Sequence, residues 1–320
     1  MLKDKTIFVS GGAGFIGSHL CERLVRANKV VVYDNEHRNA LKDTELLNHP
    51  NLTFIKGDVL EQAALVKAMK GSDIVIHLAA IAGIDTVIKK AITTMKVNLL
   101  GTYNALEAAL ACKVRRFINL SSSEVYGPHV YRGTEESLTT QGPVGKLRWT
   151  YATSKIAAEH LVYCYFEEYN LSTTIIRPFN IYGPQQVGEG AIRKFILGAI
   201  KNEDIIVYGD GSQIRAWCYI DDFIDGVLLA LESDKAIGEV FNLGDPKQTI
   251  SILGLAEDVI RLAHSTSKIL FRESSIPDVE VRVPSINKAK EILGFEPKIS
   301  LEEGILRSLK WYQKMLGGPR

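Results

Sequence analysis

Thr6-Ile7-Phe8-Val9-Ser10-Gly11-Gly12-Ala13-Gly14-Phe15-Ile16-Gly17 reads as a β-rich run, a glycine turn and the first turn of a helix. The apolar run has the length of a buried strand, and residues 18–25 carry helical periodicity. Glycines at Gly11, Gly14 and Gly17 permit a tight turn, bring backbone close to a pyrophosphate and aim a helix N-terminus at it, with Phe15 and Ile16 beside that end. A second strand, Lys29 to Tyr33, ends in Asp34, 20 residues beyond Gly14. A carboxylate there accepts hydrogen bonds from an adenosine ribose and repels a 2′-phosphate, so the pattern favours NAD over NADP. Arg38, close by, keeps NADP open.

The alternation continues outward. Leu52 to Lys56 reads as a strand running into Gly57-Asp58-Val59, Glu61 to Lys70 as a helix, and Ile74 to Leu78 as an apolar strand leading to Ala79-Ala80. Lys96 to Ala111 then reads as a helix and Arg116 to Leu120 as a strand. Repeated β-α units with unbroken apolar strands predict an α/β fold of Rossmann type, a doubly wound parallel sheet buried on both faces. Ligands of such sheets lie beyond the carboxyl ends of the strands, where Asp58, Ala79, Ala80 and Ser121-Ser122-Ser123-Glu124 fall. Past residue 177 the pattern loosens, with a helix at Ala191 to Lys201, a strand at Ile205 to Tyr208 and helices at 253–263 and 301–315. The expected division is a cofactor domain at 1–177 and a smaller C-terminal substrate-binding lobe at 178–320, with segments near 212–245 returning to the first domain. Asp221 and Asp222 read as the N-cap of a helix.

Composition narrows the function classes. A net charge of +1 with interspersed signs leaves no electrostatic footprint for nucleic acid or an anionic membrane. No apolar run reaches the length of a membrane span, and a strand begins so near Met1 that no signal peptide is expected, which points to a cytoplasmic protein. Cys21, Cys112, Cys164 and Cys218 are too scattered for a disulfide framework, and the histidines lack ligand spacing, so no bound metal is expected.

Tyr151-Ala152-Thr153-Ser154-Lys155 opens another helical run. Residues i and i+4 share a helix face, so Tyr151 and Lys155 can enter one pocket, where an ammonium would lower the phenol pKa and make the phenolate a usable base. Such a pair is common on ordinary helices; the glycine turn and the serine run ahead of it give it weight. The serine run could be a plain turn. Beside a Tyr/Lys base, a hydroxyl can hold a substrate oxygen and Glu124 can move a second proton.

Taken with Asn98, Glu124-Val125-Tyr126-Gly127, Arg177-Pro178-Phe179-Asn180-Ile181-Tyr182-Gly183-Pro184, Gly209 to Arg215, Phe241-Asn242-Leu243-Gly244 and Asp278 through Lys290, the constellation closely resembles the extended short-chain dehydrogenase/reductases. Within them it is similar to the NAD-dependent nucleotide-sugar epimerase/dehydratase/decarboxylase family along nearly its whole length. The resemblance implies that Tyr151 takes a proton from a sugar hydroxyl while hydride leaves for NAD, which stays tightly bound and is regenerated each turnover. Lys155 would hold the nicotinamide ribose, and Ser122 would bridge the sugar oxygen to Tyr151. Ser123 and Glu124 match the pair that decides the fate of the oxidised sugar. Asp58, Val59, Ala79, Ala80, Asn98 and Pro178 would contact the cofactor. Asn180, Arg215 and Arg282 would meet the diphosphate of a nucleotide-diphosphate sugar. Family members often pair two helices corresponding to 96–111 and 152–169, so a homodimer is expected.

Oxidation at C4 opens three outcomes. The family's commonest chemistry, 4-epimerisation, leads. A 4,6-dehydratase normally offers Asp-Glu where this chain has Ser123-Glu124, so half of its acid–base pair is missing. UDP-glucuronate decarboxylases commonly carry a hydroxyl-Ser-Glu run such as Ser122-Ser123-Glu124. Arg148-Trp149 ahead of Tyr151 resembles uronate-handling relatives, with Arg148 free to pair with a C6 carboxylate or simply to face solvent. Arg215-Ala216-Trp217-Cys218 departs from the usual Arg-Asp-Phe-Thr and puts the sugar specificity in doubt. A non-catalytic dinucleotide-binding relative would be expected to have lost Tyr151 or Lys155. A net reductase would consume added NADH.

Overall fold

The computed structural model of the protein describes residues 2–42, 44–273 and 279–317. Asp278, which opens the last stretch of the resemblance, and residues 318–320 lie outside the described residues. The first half runs β1 (Thr6–Ser10), α1 (Phe15–Leu24), β2 (Lys29–Asp34), β3 (Leu52–Lys56), α2 (Gln62–Met69) and β4 (Ile74–His77). It continues through α3 (Ile84–Lys89), α4 (Ala91–Met95), α5 (Gly101–Ala111), β5 (Arg116–Leu120), β6 (His129–Gly133) and α6 (Thr150–Tyr169). Next come β7 (Thr173–Pro178), β8 (Ile181–Tyr182), α7 (Ala191–Lys201), β9 (Ile205–Tyr208), β10 (Ile214–Ala216), β11 (Cys218–Tyr219) and α8 (Ile220–Glu232). The last part holds β12 (Val240–Leu243), β13 (Thr249–Ser251), α9 (Ile252–Leu262), β14 (Ile269–Arg272), β15 (Val281–Pro284), α10 (Asn287–Leu293) and α11 (Leu301–Met315).

Among the described residues, seven strands form one parallel sheet in the order β12-β7-β5-β4-β1-β2-β3. Every residue of β4 and β5 is buried, which is why these strands read as continuous apolar runs. Alternate side chains fill the two faces. Ile7, Val9, Ile76 and Ile118 pack with Leu20 and Leu24 of α1 and Phe223 and Val227 of α8. Phe8, Val75 and Phe117 pack with Leu65 of α2, Ala105 and Leu106 of α5 and Val162 of α6. The order reverses at β1, between β2 and β4, and such a switch point opens a crevice at the strands' carboxyl ends.

A second sheet has the order β13-β10-β15-β6. Its strand β6 comes from the first half of the chain and pairs in parallel with β15, while β12 returns from the second half to pair with β7.

Two expectations need correction. The helix expected from Lys96 begins at Ala91 and passes through a π turn at Lys96–Leu100, whose extra residue lets buried Asn98 face inward. Asp221 and Asp222 lie inside the first turn of α8, which Tyr219 caps, and Asp222 Oδ2 accepts the Ile299 N–H at 2.9 Å.

Candidate active site

The glycine turn works by close approach. Gly11 has φ +72°, and a Cβ there would lie 2.6 Å from the Ala79 nitrogen. A Cβ on Gly17 would lie 2.6 Å from the Gly11 carbonyl oxygen. Gly14 caps α1 without a side chain, so the first-turn N–H groups of that helix are left to a ligand. At the end of β2, Asp34 Oδ2 accepts the Ala13 N–H at 3.1 Å and Oδ1 the Glu36 N–H at 2.7 Å. Burial raises its pKa, and those two N–H groups offset part of the rise.

A cleft of about 450 Å³ runs from this turn along the strand ends. Gly11, Gly14, Phe15, Ile16, Gly17 and Asp34 line one end, Asp58, Val59, Ala79 and Ala80 the middle, and Tyr151, Lys155 and Pro178 the other. Asn98 does not line it. Its Oδ1 accepts the Ile81 N–H at 2.8 Å and its Nδ2 donates to the Ile81 carbonyl at 3.1 Å and Ser154 Oγ at 3.0 Å, so it shapes the wall from behind. Glycines that admit no Cβ, an uncapped helix N-terminus and a carboxylate at the ribose end fit a dinucleotide of the NAD type.

Tyr151 and Lys155 do reach the same end of the cleft, one helical turn apart on α6. Lys155 Nζ, buried, donates to the Leu120 carbonyl at 2.7 Å. Desolvation pushes its pKa down to about 8, with Glu159 pulling the other way. The Tyr151 pKa lies above its ordinary value rather than below it. Burial pushes the phenol up to about 12, the Ser122 hydroxyl hydrogen-bonded to it lowers it, Glu124 raises it and Arg282 lowers it.

Ser122 caps the short turn Ser123–Tyr126 by accepting the Glu124 N–H at 3.1 Å. That turn delivers Glu124 between two buried guanidinium groups. Arg148 Nη1 donates to Oε2 at 2.7 Å, and Arg282 Nη1 donates to Oε1. Arg282 Nη2 also donates to the Gly127 carbonyl, and Arg148 lies 4.5 Å over the Trp149 ring. Burial raises the Glu124 pKa, but the two arginines outweigh it and hold the carboxyl at about 2. Arg148 therefore does not face solvent, and both guanidinium groups meet Glu124. Arg215, its register partner on β10, donates to the Val279 carbonyl at 2.7 Å. Asn180, at φ +44°, holds the turn between β7 and β8 by donating to the Ala216 carbonyl at 2.9 Å. Ser123 is buried in the turn.

A support behind α6 went unread in the sequence. Arg177 on β7 grips Glu159 through Nε–Oε1 at 2.9 Å and Nη2–Oε2 at 2.7 Å, and its Nη1 donates to Tyr126 Oη at 2.7 Å. Glu159 stands four residues beyond Lys155, and that spacing was the available signal. Among the described residues no cluster of His, Cys, Asp and Glu has the makings of a metal site, and no helix is long and apolar enough to cross a membrane.

The family model of the NAD-dependent epimerases and dehydratases matches residues 7–244. The chain belongs to that family. NAD is accordingly its cofactor, nucleotide sugars are the family's substrates, and the glycine cradle suits both statements. Over 97% of its length the chain is 36% identical to a UDP-N-acetyl-α-D-glucosaminuronate decarboxylase of Bacillus cytotoxicus, covering 98% of that protein. A UDP-glucuronic acid decarboxylase of Xenopus tropicalis is 34% identical over 98% of the chain and 73% of its own length. The crystal structure of a UDP-glucuronic acid 4-epimerase from Bacillus cereus, bound to UDP-glucuronic acid and NAD, superposes with a TM-score of 0.89. It is 32% identical, over 97% of this chain and 99% of that one. The two decarboxylase likenesses favour decarboxylation over the 4-epimerisation that led on sequence alone.

Proposed function

We propose that the protein decarboxylates a UDP-linked hexuronic acid by transient oxidation at C4. The observation that carries this reading is the clamp of Arg148 and Arg282 on Glu124, next to the Ser122–Tyr151 pair. A carboxyl held at about 2 is a poor base for C5, and Ser123 is no acid for a departing C6 hydroxyl, so dehydration lacks both of its proton carriers.

Bound NAD supplies the hydride acceptor at C4 and later returns the hydride. The chain's own groups handle position and protons. In its ionised form Tyr151 takes the O4 proton and gives it back when C4 is reduced, Ser122 holds the phenol and the oxygen in line, and buried Lys155 fixes the floor of the site through Leu120. A C4 ketone is β to the C6 carboxylate. The C5–C6 bond then breaks, CO2 leaves, its electron pair passes into the C4 enolate, and C5 takes up one proton, which is the net proton consumed. No enzymic base at C5 is required, in keeping with a Glu124 that is tied down.

The likeness to the B. cereus enzyme favours a second reading, C4 inversion of the same class of substrate. Incubation with UDP-glucuronic acid and UDP-N-acetylglucosaminuronic acid, followed by NMR, separates the two. A UDP-pentose with release of CO2 is expected; an inverted C4 with C6 retained would replace decarboxylation by epimerisation. We also propose a homodimer through α4, α5 and α6, where Ile92, Leu100, Tyr103 and Tyr163 are exposed.

A further inference from the structure

Between β8 and α7, residues 185–190 pass along the cleft, and Gln186, Val187 and Glu189 join its lining. Glu189 reaches the facing wall. Its Oε1 accepts the Thr86 hydroxyl at 2.6 Å and the Thr86 N–H at 3.0 Å, and its Oε2 accepts the Asp85 N–H at 2.9 Å. Arg38 Nη2 lies 3.5 Å from Oε1 and donates to Thr86 Oγ1 at 3.2 Å. One carboxylate thus ties the 185–190 strap to α3 and to the segment after β2.

Two glycines allow this approach. Gly83 has φ +97°, and a Cβ there would lie 2.7 Å from Glu189 Cδ. Gly188 has φ +83°, and a Cβ there would lie 2.6 Å from Arg38 Cζ. Arg38 lines the same end of the cleft as Asp34. A guanidinium beside an adenosine ribose ordinarily welcomes a 2′-phosphate, so its engagement by Glu189 bears on which dinucleotide is admitted.

We propose that Glu189 latches the strap across the dinucleotide cleft and, by holding Arg38, converts an anion-seeking residue into part of an NAD-selective wall. A latch has a use here, because oxidised sugar and reduced cofactor must stay together until the hydride returns. The inference rests on NAD binding and not on the fate of C6, so it stands whether CO2 is lost or C4 is inverted.

The experiment therefore omits sugar. Wild-type protein is loaded with NADH, release is followed by fluorescence during a chase with excess NAD, and NAD and NADP affinities are measured by competition. Glu189→Ala is expected to speed release and to narrow the NAD preference over NADP, each by about tenfold or more, the loss expected for charge-assisted hydrogen bonds. Gly188→Ala keeps the carboxylate but drives a methyl group into Arg38, and should also speed release. Glu189→Gln should fall between wild type and Glu189→Ala. Adding Arg38→Ala to Glu189→Ala should restore discrimination against NADP. Circular dichroism shows which variants are folded. Wild-type release rates from folded Glu189→Ala and Gly188→Ala would overturn the latch. An unchanged NADP-to-NAD affinity ratio in Glu189→Ala would overturn the role given to Arg38.

Discussion

Tyr151 carries the proposed proton transfer, so Tyr151→Phe should lower turnover by about 10²–10⁴-fold while NAD content measured by acid extraction stays unchanged. Glu124 has a different signature. Its folded-state pKa of about 2 lies below its ordinary 4.5, so its contribution to stability is complete above pH 4.5 and is lost as pH falls toward 2. Glu124→Gln leaves two buried arginines facing a neutral amide. Such a broken pair costs about 3–5 kcal/mol, and denaturant unfolding at pH 7 reads that loss. Lys155 shows the same direction at higher pH. Its ammonium titrates near 8 in the fold and 10.5 outside it, so between those values the unfolded chain binds more protons and this group's contribution rises with pH. Activity is expected to fall as pH passes about 8 while this group's contribution to the unfolding free energy rises, a divergence that parallel kcat/KM and denaturation profiles would expose. The spacing of Tyr151 and Lys155 made their shared pocket legible in the sequence. The direction of the Tyr151 shift was not, because it depends on desolvation and on where Nζ points, and neither is written in a four-residue interval.

Elements hold these residues in place, and α6 depends on its rear. Arg177 and Glu159 are both buried and bond in fork geometry, so Arg177→Met alone should cost about 3–5 kcal/mol, whereas Arg177→Met with Glu159→Leu should recover much of it. Urea titration of the wild type, the two single variants Arg177→Met and Glu159→Leu, and the double variant checks this. Local periodicity marked the strands from β1 to β5 and the bodies of α1 and α6 because their apolar repeats are continuous. It could not mark the π turn at Lys96–Leu100, whose extra residue is stabilised by what Asn98 finds across the cleft wall. The protein partners of the two arginines expected at a diphosphate were not legible for a related reason. Strand register sets Arg282 beside Arg215, but the partner of each is chosen by a turn from far away in the chain, Ser123–Tyr126 for the former.

At the scale of the molecule, Ile92 is 75% exposed, Leu100 48%, Tyr103 42% and Tyr163 47% on neighbouring helices, more apolar surface than a lone subunit usually leaves in water. Light scattering is expected to give twice the chain mass, and Leu100→Glu with Tyr103→Glu to give the chain mass. The β-α alternation foretold the parallel sheet, yet not the departure of β6, because pairing between distant strands leaves no mark in either one alone. That departure has a bearing on recombination. Glu124 and Arg148 come from one half of the chain and Arg282 from the other, on β15, zipped to β6. A chimera spliced at residue 177 would inherit its carboxylate from one parent and half of its counter-charge from the other, so the two halves must be exchanged as matched sets or not at all.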